Sequence, residues 1–402
     1  MPKAVYFQTL QMLNNVSKKL VQLVAVLILL TSCRVQEVYE QQTSTPIPIF
    51  PTETQAPTST PTAFPTPTVP TQTSRGIFEP PDGKVLLFVG QDNASIGGND
   101  PYHDGYVDHV SLPAGVTGYV YMVEGWTNRF GYTYDVGSID GLNQETTWGA
   151  GPVCMKCILD SPTFKHTIVH LSISMVDGSE AKIADGTYDY LIETLTQFLM
   201  DYQDHPFFLR IGYEFDGVRN AYNPENYKQA FRRIVDQLRA AGLKNFVTVM
   251  SSTSVSVGAA TWDQYYPGDD YVDWIGYSYW GESSDSTGTL DFARAHGKPV
   301  FIAESAPAKY YLGVADGNKV WREWFEPYFR HIQENLDVTK AVSYIDCHWE
   351  AQPMWIGRNW GDTRIEANPV IHYKWNAMMY DPMFITGNDD VFQLIGFNPK
   401  QE

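Results

Sequence analysis

Short runs rich in Val, Ile, Phe and Tyr recur along the later part of this chain. They are KVLLFVGQ (84–91), GYVYMVEGW (118–126), HTIVHLSIS (166–174), FFLRIGYEF (207–215), FVTVMSST (246–253), VDWIGYSYW (272–280), KPVFIAESA (298–306) and AVSYIDCHW (341–349). Each is apolar almost without interruption, the pattern of strands covered on both faces, as in parallel sheets. Most are separated by stretches long enough for a helix. Asn223-Pro224 reads as an N-cap followed by proline at the first helical position. ENYKQAFRRIVDQLRAAG then keeps helical apolar spacing, and Gly242 closes it. Tyr188–Tyr202 and Lys319–Asn335 read similarly. Strand–helix alternation repeated eight times predicts an α/β fold, a single (β/α)8 barrel. The rival, an open doubly wound sheet, has no need of eight strands, and no Gly-rich phosphate loop follows the first run.

Polar and aromatic residues gather where the apolar runs stop: Gln91-Asp92, Glu124-Gly125-Trp126, Tyr213-Glu214, Tyr279-Trp280, Glu304-Ser305 and His348-Trp349-Glu350. In a barrel these tips form one rim, where active sites are assembled. Glu214 ends the fourth run and Glu304 the seventh, so the two can face each other across the ring. Glycoside cleavage uses such a pair, one as acid/base and one as nucleophile, with carboxyls about 5–5.5 Å apart in retaining enzymes. Glu304 would attack, and Glu214, its pKa raised, would hold the proton. Arg210 would reach the pocket from inside the barrel and pair with Glu304, since an unpaired guanidinium there is costly.

The residues ahead of the barrel differ in kind. Lys18 and Lys19 precede the apolar run LVQLVAVLILL and then Leu30-Thr31-Ser32-Cys33, the layout of a secretory signal peptide. The LTSC ending resembles a bacterial lipobox, which makes Cys33 the lipid attachment site and the protein a surface lipoprotein. Translation starting at Met12 would give a signal of more usual length. Residues 34–75 form a Pro/Thr-rich tract with little to bury, read as a disordered stalk. The expected organisation is therefore a signal over 1–33, a linker over 34–75 and a barrel over 76–402, with no role assigned to Tyr380–Glu402.

A net charge of −18 argues against nucleic acid and mildly against polyanions. An aromatic content of 14%, with 11 Trp and 25 Tyr, suits the apolar C–H faces of neutral sugars. Cys154, Cys157 and Cys347 remain after Cys33. They lack the second pair of a zinc ribbon, and export favours one disulfide of open pairing. His103 and His109 read as surface residues, and Asp269, Asp270 and Asp273 as loop caps, so no metal is expected.

RIGYEFDG (210–217), YYPGDDYVDWIGYSYW (265–280) and KPVFIAESAP (298–307) together resemble glycoside hydrolase family 26, best known for β-mannanases. The resemblance implies retaining, endo-type hydrolysis of a neutral β-linked polysaccharide, with β-mannan the first expectation and no cofactor required. It implies Glu214 as acid/base, Glu304 as nucleophile, and Arg210, Tyr213 and Trp349 as substrate-site residues. Tyr213 stands where histidine is common in the family. Trp280 falls where a tyrosine bonds the nucleophile, so Tyr279, one residue earlier, is expected in that role. Trp126, Trp148, His348 and Trp355 are subsite candidates by position. A β-1,3/1,4-glucanase or β-xylanase of the same fold, or a glycan-binding lipoprotein that does not cut, are the alternatives.

Overall fold

The computed structural model describes residues 75–399, apart from 126, 128–130, 132–138, 256 and 282–283. The expected signal, the linker, Cys33 and Trp126 lie outside the described residues. Eight parallel strands close on themselves: β1 (Val85–Val89), β2 (Gly115–Tyr121), β3 (Ile168–Ser174), β4 (Phe207–Ile211), β5 (Phe246–Ser252), β6 (Trp274–Tyr279), β7 (Val300–Ser305) and β8 (Thr339–Tyr344), with β8 pairing back onto β1. Every expected run contributes a strand, and all eight are buried end to end. The strands end earlier than the apolar runs. After β2, for instance, Met122 and Val123 stay buried although the strand has stopped, which carries Glu124 onto a loop beside Tyr190.

Alternation divides each strand between two cores. On β4, Phe207, Leu209 and Ile211 join the large cluster under the helices, whereas Phe208 packs in the lumen with Phe88, Trp274 and Phe301. Arg210 shares Phe208's parity and so points inward. Among the described residues, the connections after β1 and β2 carry only short helical turns. Longer helices follow later: α1 (Asp189–Asp201), α2 (Pro224–Ala240), α3 (Thr287–His296), α4 (Glu326–Glu334) and α5 (Pro369–Met379). The Asn223 side chain accepts from the amides of Glu225 and Asn226, and Pro224 starts α2 as the sequence suggests. Ahead of α4 the helix widens into a π-helical turn over Trp321–Phe325.

The tail acquires a role. Phe384–Ile385 pairs with the start of β1, and Val391, Phe392, Ile395 and Phe397 join Phe78 in the core at the amino-terminal end of the barrel. Cys154 and Cys157 form the disulfide, and Cys347 remains a buried thiol.

Candidate active site

Two local departures from regular strand geometry aim the paired carboxylates. On β7, Ile302 pairs with Tyr277, yet the next residue of β6, Ser278, pairs with Glu304. One extra residue, Ala303, is therefore inserted. A bulge of this kind re-aims a side chain. Without it, Phe301 and Ala303 would take the lumen and Glu304 the helix side. With it, Glu304 turns into the cleft, and Ser305 turns out to bond Tyr328 at 2.8 Å. Beyond β4 the chain turns sharply. Gly212 has φ +59°, where an added Cβ would meet Met175 and Tyr227 at 2.5 Å, and Glu214 itself has φ +50°. Left-handed backbone at a glutamate is uncommon and costs on the order of 1 kcal/mol. Asn220 holds it by donating to the carbonyls of Tyr213 (2.9 Å) and Glu214 (3.0 Å). Asp216 fixes the same loop by accepting from the Thr253 amide at 2.7 Å and its hydroxyl at 2.6 Å.

The carboxylates share one set of partners. The Ser278 hydroxyl donates to Glu214 Oε1 at 2.8 Å, while Ser278 is the strand neighbour of Glu304. The fully buried Arg210 donates through Nη1 to Glu304 Oε1 and through Nε to Ser251 at 2.6 Å. Its guanidinium also lies 5.1 Å from the Tyr213 ring centroid. Glu214 has its pKa raised to about 7, first by burial of its carboxyl and then by the negative charge of Glu304. One acid is thus poised to hold a proton near neutrality, and the other is ion-paired.

Above them lies a cleft of about 720 Å³. One wall carries Tyr119, Tyr121, Trp148 and Tyr213. The other carries Trp280, Trp349, Trp355 and Trp360. Trp349 packs 5.1 Å from both Trp355 and Trp360, is 2% exposed, and donates its indole N–H to Thr363 at 2.9 Å. It forms the inner layer of that wall, with Trp280, Trp355 and Trp360 over it.

The site gathers most of the expected residues, with two corrections. Tyr279 lies outside the cleft: its ring stacks on His331 at 5.2 Å and packs on Trp324 and Tyr328. The reason is parity. Trp274, Gly276 and Ser278 take the lumen face of β6, which leaves Ile275, Tyr277 and Tyr279 to the helices and returns Trp280 to the cleft. His348 also lies elsewhere, in a neighbouring pocket lined by Tyr102, His103, Asp346 and Arg364. His103 and His109 pair with Asp100 and Asp104 at the surface. Asp269 accepts from Tyr266 and His296, and Asp273 from Thr248, as loop fasteners. Tyr119 and Trp360 went unnoticed in the sequence. Tyr119 follows the lumen parity of Thr117 on β2, whereas Trp360 sits on an irregular loop that no periodicity marks.

A profile of glycosyl hydrolase family 26 matches residues 121–343, more than half of the chain. The chain belongs to glycosyl hydrolase family 26. This family member is a glycoside hydrolase. It is 31% identical over 346 residues to the β-1,3-xylanase TXYA of Vibrio sp., spanning 79% of this chain and 69% of that protein. A β-1,3-xylanase of Alcaligenes sp. is 32% identical over 343 residues, spanning 79% and 68%. Among solved structures, a family 26 β-mannanase from Bacteroides ovatus superposes with a TM-score of 0.55 at 16% identity, covering 80% of this chain and 95% of that one. At that identity the likeness speaks for the barrel alone.

Proposed function

We propose that this family 26 hydrolase cleaves β-1,3-linked xylan with retention of configuration, from an exported position anchored through Cys33. The observation carrying the chemistry is the shared framework of the two acids: Ser278 bonds Glu214 and neighbours Glu304, while Arg210 pairs with Glu304. Glu304 attacks the anomeric carbon as Glu214 gives its proton to the departing oxygen. Glu214, now a base, takes a proton from water, and that water breaks the glycosyl ester. The raised Glu214 pKa suits both duties, because an acid/base works best with its pKa near the operating pH.

The substrate reading favours xylan over mannan on two supports. The relatives that match at 31–32% identity carry β-1,3-xylanase names. The chain also departs from the mannanase-like pattern at Tyr213 and Trp280, both of which line the cleft. The test is turnover of β-1,3-xylan, β-1,4-xylan, β-mannan and mixed-linkage glucan, with product anomers followed by proton NMR. Fastest cleavage of β-1,3-xylan with the β-anomer appearing first is expected. Faster cleavage of mannan would overturn the substrate, and an α-anomer first would overturn the mechanism.

A further inference from the structure

The lumen face of β2 presents Thr117 and, one pleat higher, Tyr119. Thr117 is spoken for, with partners in His170 at 3.1 Å and Ser343 at 2.8 Å. Tyr119 is different. It is 3% exposed, and its ring is clamped edge-on by Tyr213 at 5.7 Å and Trp148 at 5.9 Å. Its hydroxyl is buried yet meets no acceptor at full hydrogen-bond geometry. A buried hydroxyl left so costs about 1–3 kcal/mol, and phenylalanine would fill the same space without that cost. Tyr119 and Glu304 line the same cleft, and burial pushes the phenol pKa up most, with the Glu304 carboxylate the next cause.

Strand β6 supplies no hydroxyl for that carboxylate. Ser278 is committed to Glu214, Tyr279 faces the helices, and Trp280 has only an indole N–H. Arg210 takes Glu304 Oε1 through Nη1, and its Nη2 is buried without a partner. From this arrangement we propose that Tyr119 is a positioning residue whose hydroxyl donates to the Glu304 carboxylate and holds its attacking oxygen toward the cleft. The proposal rests on the reading of Glu304 as nucleophile. A donor on a carboxylate favours its charged form. That charge disappears when Glu304 bonds to the anomeric carbon and returns when water breaks the bond. Tyr119 therefore assists the second half of the reaction most.

The test is Tyr119→Phe in the full chain, one oxygen removed. On an activated aryl β-glycoside of whichever sugar the wild type cuts, kcat should fall about tenfold, the equivalent of one hydrogen bond of about 1.4 kcal/mol. The glycosyl-enzyme should accumulate in intact-mass spectra, and the acid limb of kcat/KM should move up by roughly half to one pH unit. Thermal stability should be unchanged or higher. A second readout is independent of turnover: carbon-13 NMR titration of the Glu304 carboxyl, assigned with Glu304→Gln, should show its midpoint moving up in the variant. A wild type that cuts no glycan would remove the catalytic reading while the titration still decides the contact. An unmoved carboxyl titration, or a variant with the wild-type pH profile and no accumulated intermediate, would overturn the role of Tyr119.

Discussion

At the scale of single residues, the site depends on two glutamates that environment has made different. Glu214 is raised to about 7 by burial and then by Glu304, so below that pH it carries the proton the leaving group needs. Its loss as pH rises sets the basic limb of kcat/KM on unactivated glycans, with an expected midpoint near 7. The same shift has a stability sign. The folded state holds this proton more tightly than the unfolded chain, so Glu214 lowers stability progressively as pH rises toward 7. Glu214→Ala should abolish the basic limb and cost on the order of 10³-fold or more on polysaccharide, while sparing substrates with activated leaving groups. Added azide should restore turnover by replacing the activated water. Glu304→Ala should lose both substrate types. Wild-type rates for Glu214→Ala on polysaccharide would reject the assignment.

At the scale of elements, apolar continuity marked the eight strands because each is covered by helices outside and a packed lumen inside. It could not mark where they stop. Beyond β8, Ile345, Cys347 and Trp349 stay buried in irregular structure, so the apolar run reads on past the last ladder bond. Nor could it reveal the Ala303 bulge, which follows from pairing with neighbouring strands. Strict alternation through β7 would have sent Glu304 outward, and its position at the end of the seventh run opposite Glu214, supported by the family likeness, placed it in the site. The Tyr279 expectation failed for the opposite reason. It set the need for a hydroxyl above parity, and β6 is regular there. The tip of β8 carries another arrangement no pattern announced. Asp346 accepts from the Ile365 amide at 2.7 Å, its other oxygen and both oxygens of Glu366 are buried without partners, and burial and then Glu366 push its pKa well up. A carboxyl raised in this way favours the fold while protonated and progressively less as pH climbs from the ordinary carboxylate range toward its folded value. Asp346→Asn keeps the acceptor for Ile365 and removes the charge. It should be close to neutral at pH 4 and stabilising by about 1–2 kcal/mol at pH 8, seen in melting curves as a gap that widens with pH. A gap of constant size would show that Asp346 is not kept protonated by its burial.

At the scale of the whole molecule, cutting belongs to the barrel, and the anchor proposed at Cys33 would take over placement. A net charge of −18 disfavours binding to polyanions, and the walls of the cleft are aromatic, which suits the neutral chain proposed as substrate. An insoluble polysaccharide does not diffuse to its enzyme, so the tether proposed at Cys33 would decide which polymers the barrel meets. A single acyl chain holds only marginally, whereas the multiple chains of a lipidated N-terminal cysteine hold firmly. Tethering by Cys33 therefore predicts a fractionation result that catalysis alone does not. Expressed in a bacterium, the wild type should sediment with membranes and incorporate labelled palmitate. Cys33→Ala should lose the label and leave the membrane fraction while retaining wild-type kcat on a soluble aryl glycoside. Its rate on insoluble polysaccharide presented at the cell surface should drop. Equal sedimentation of the two forms would mean that the apolar run before Cys33 stays in the membrane as an anchor of its own.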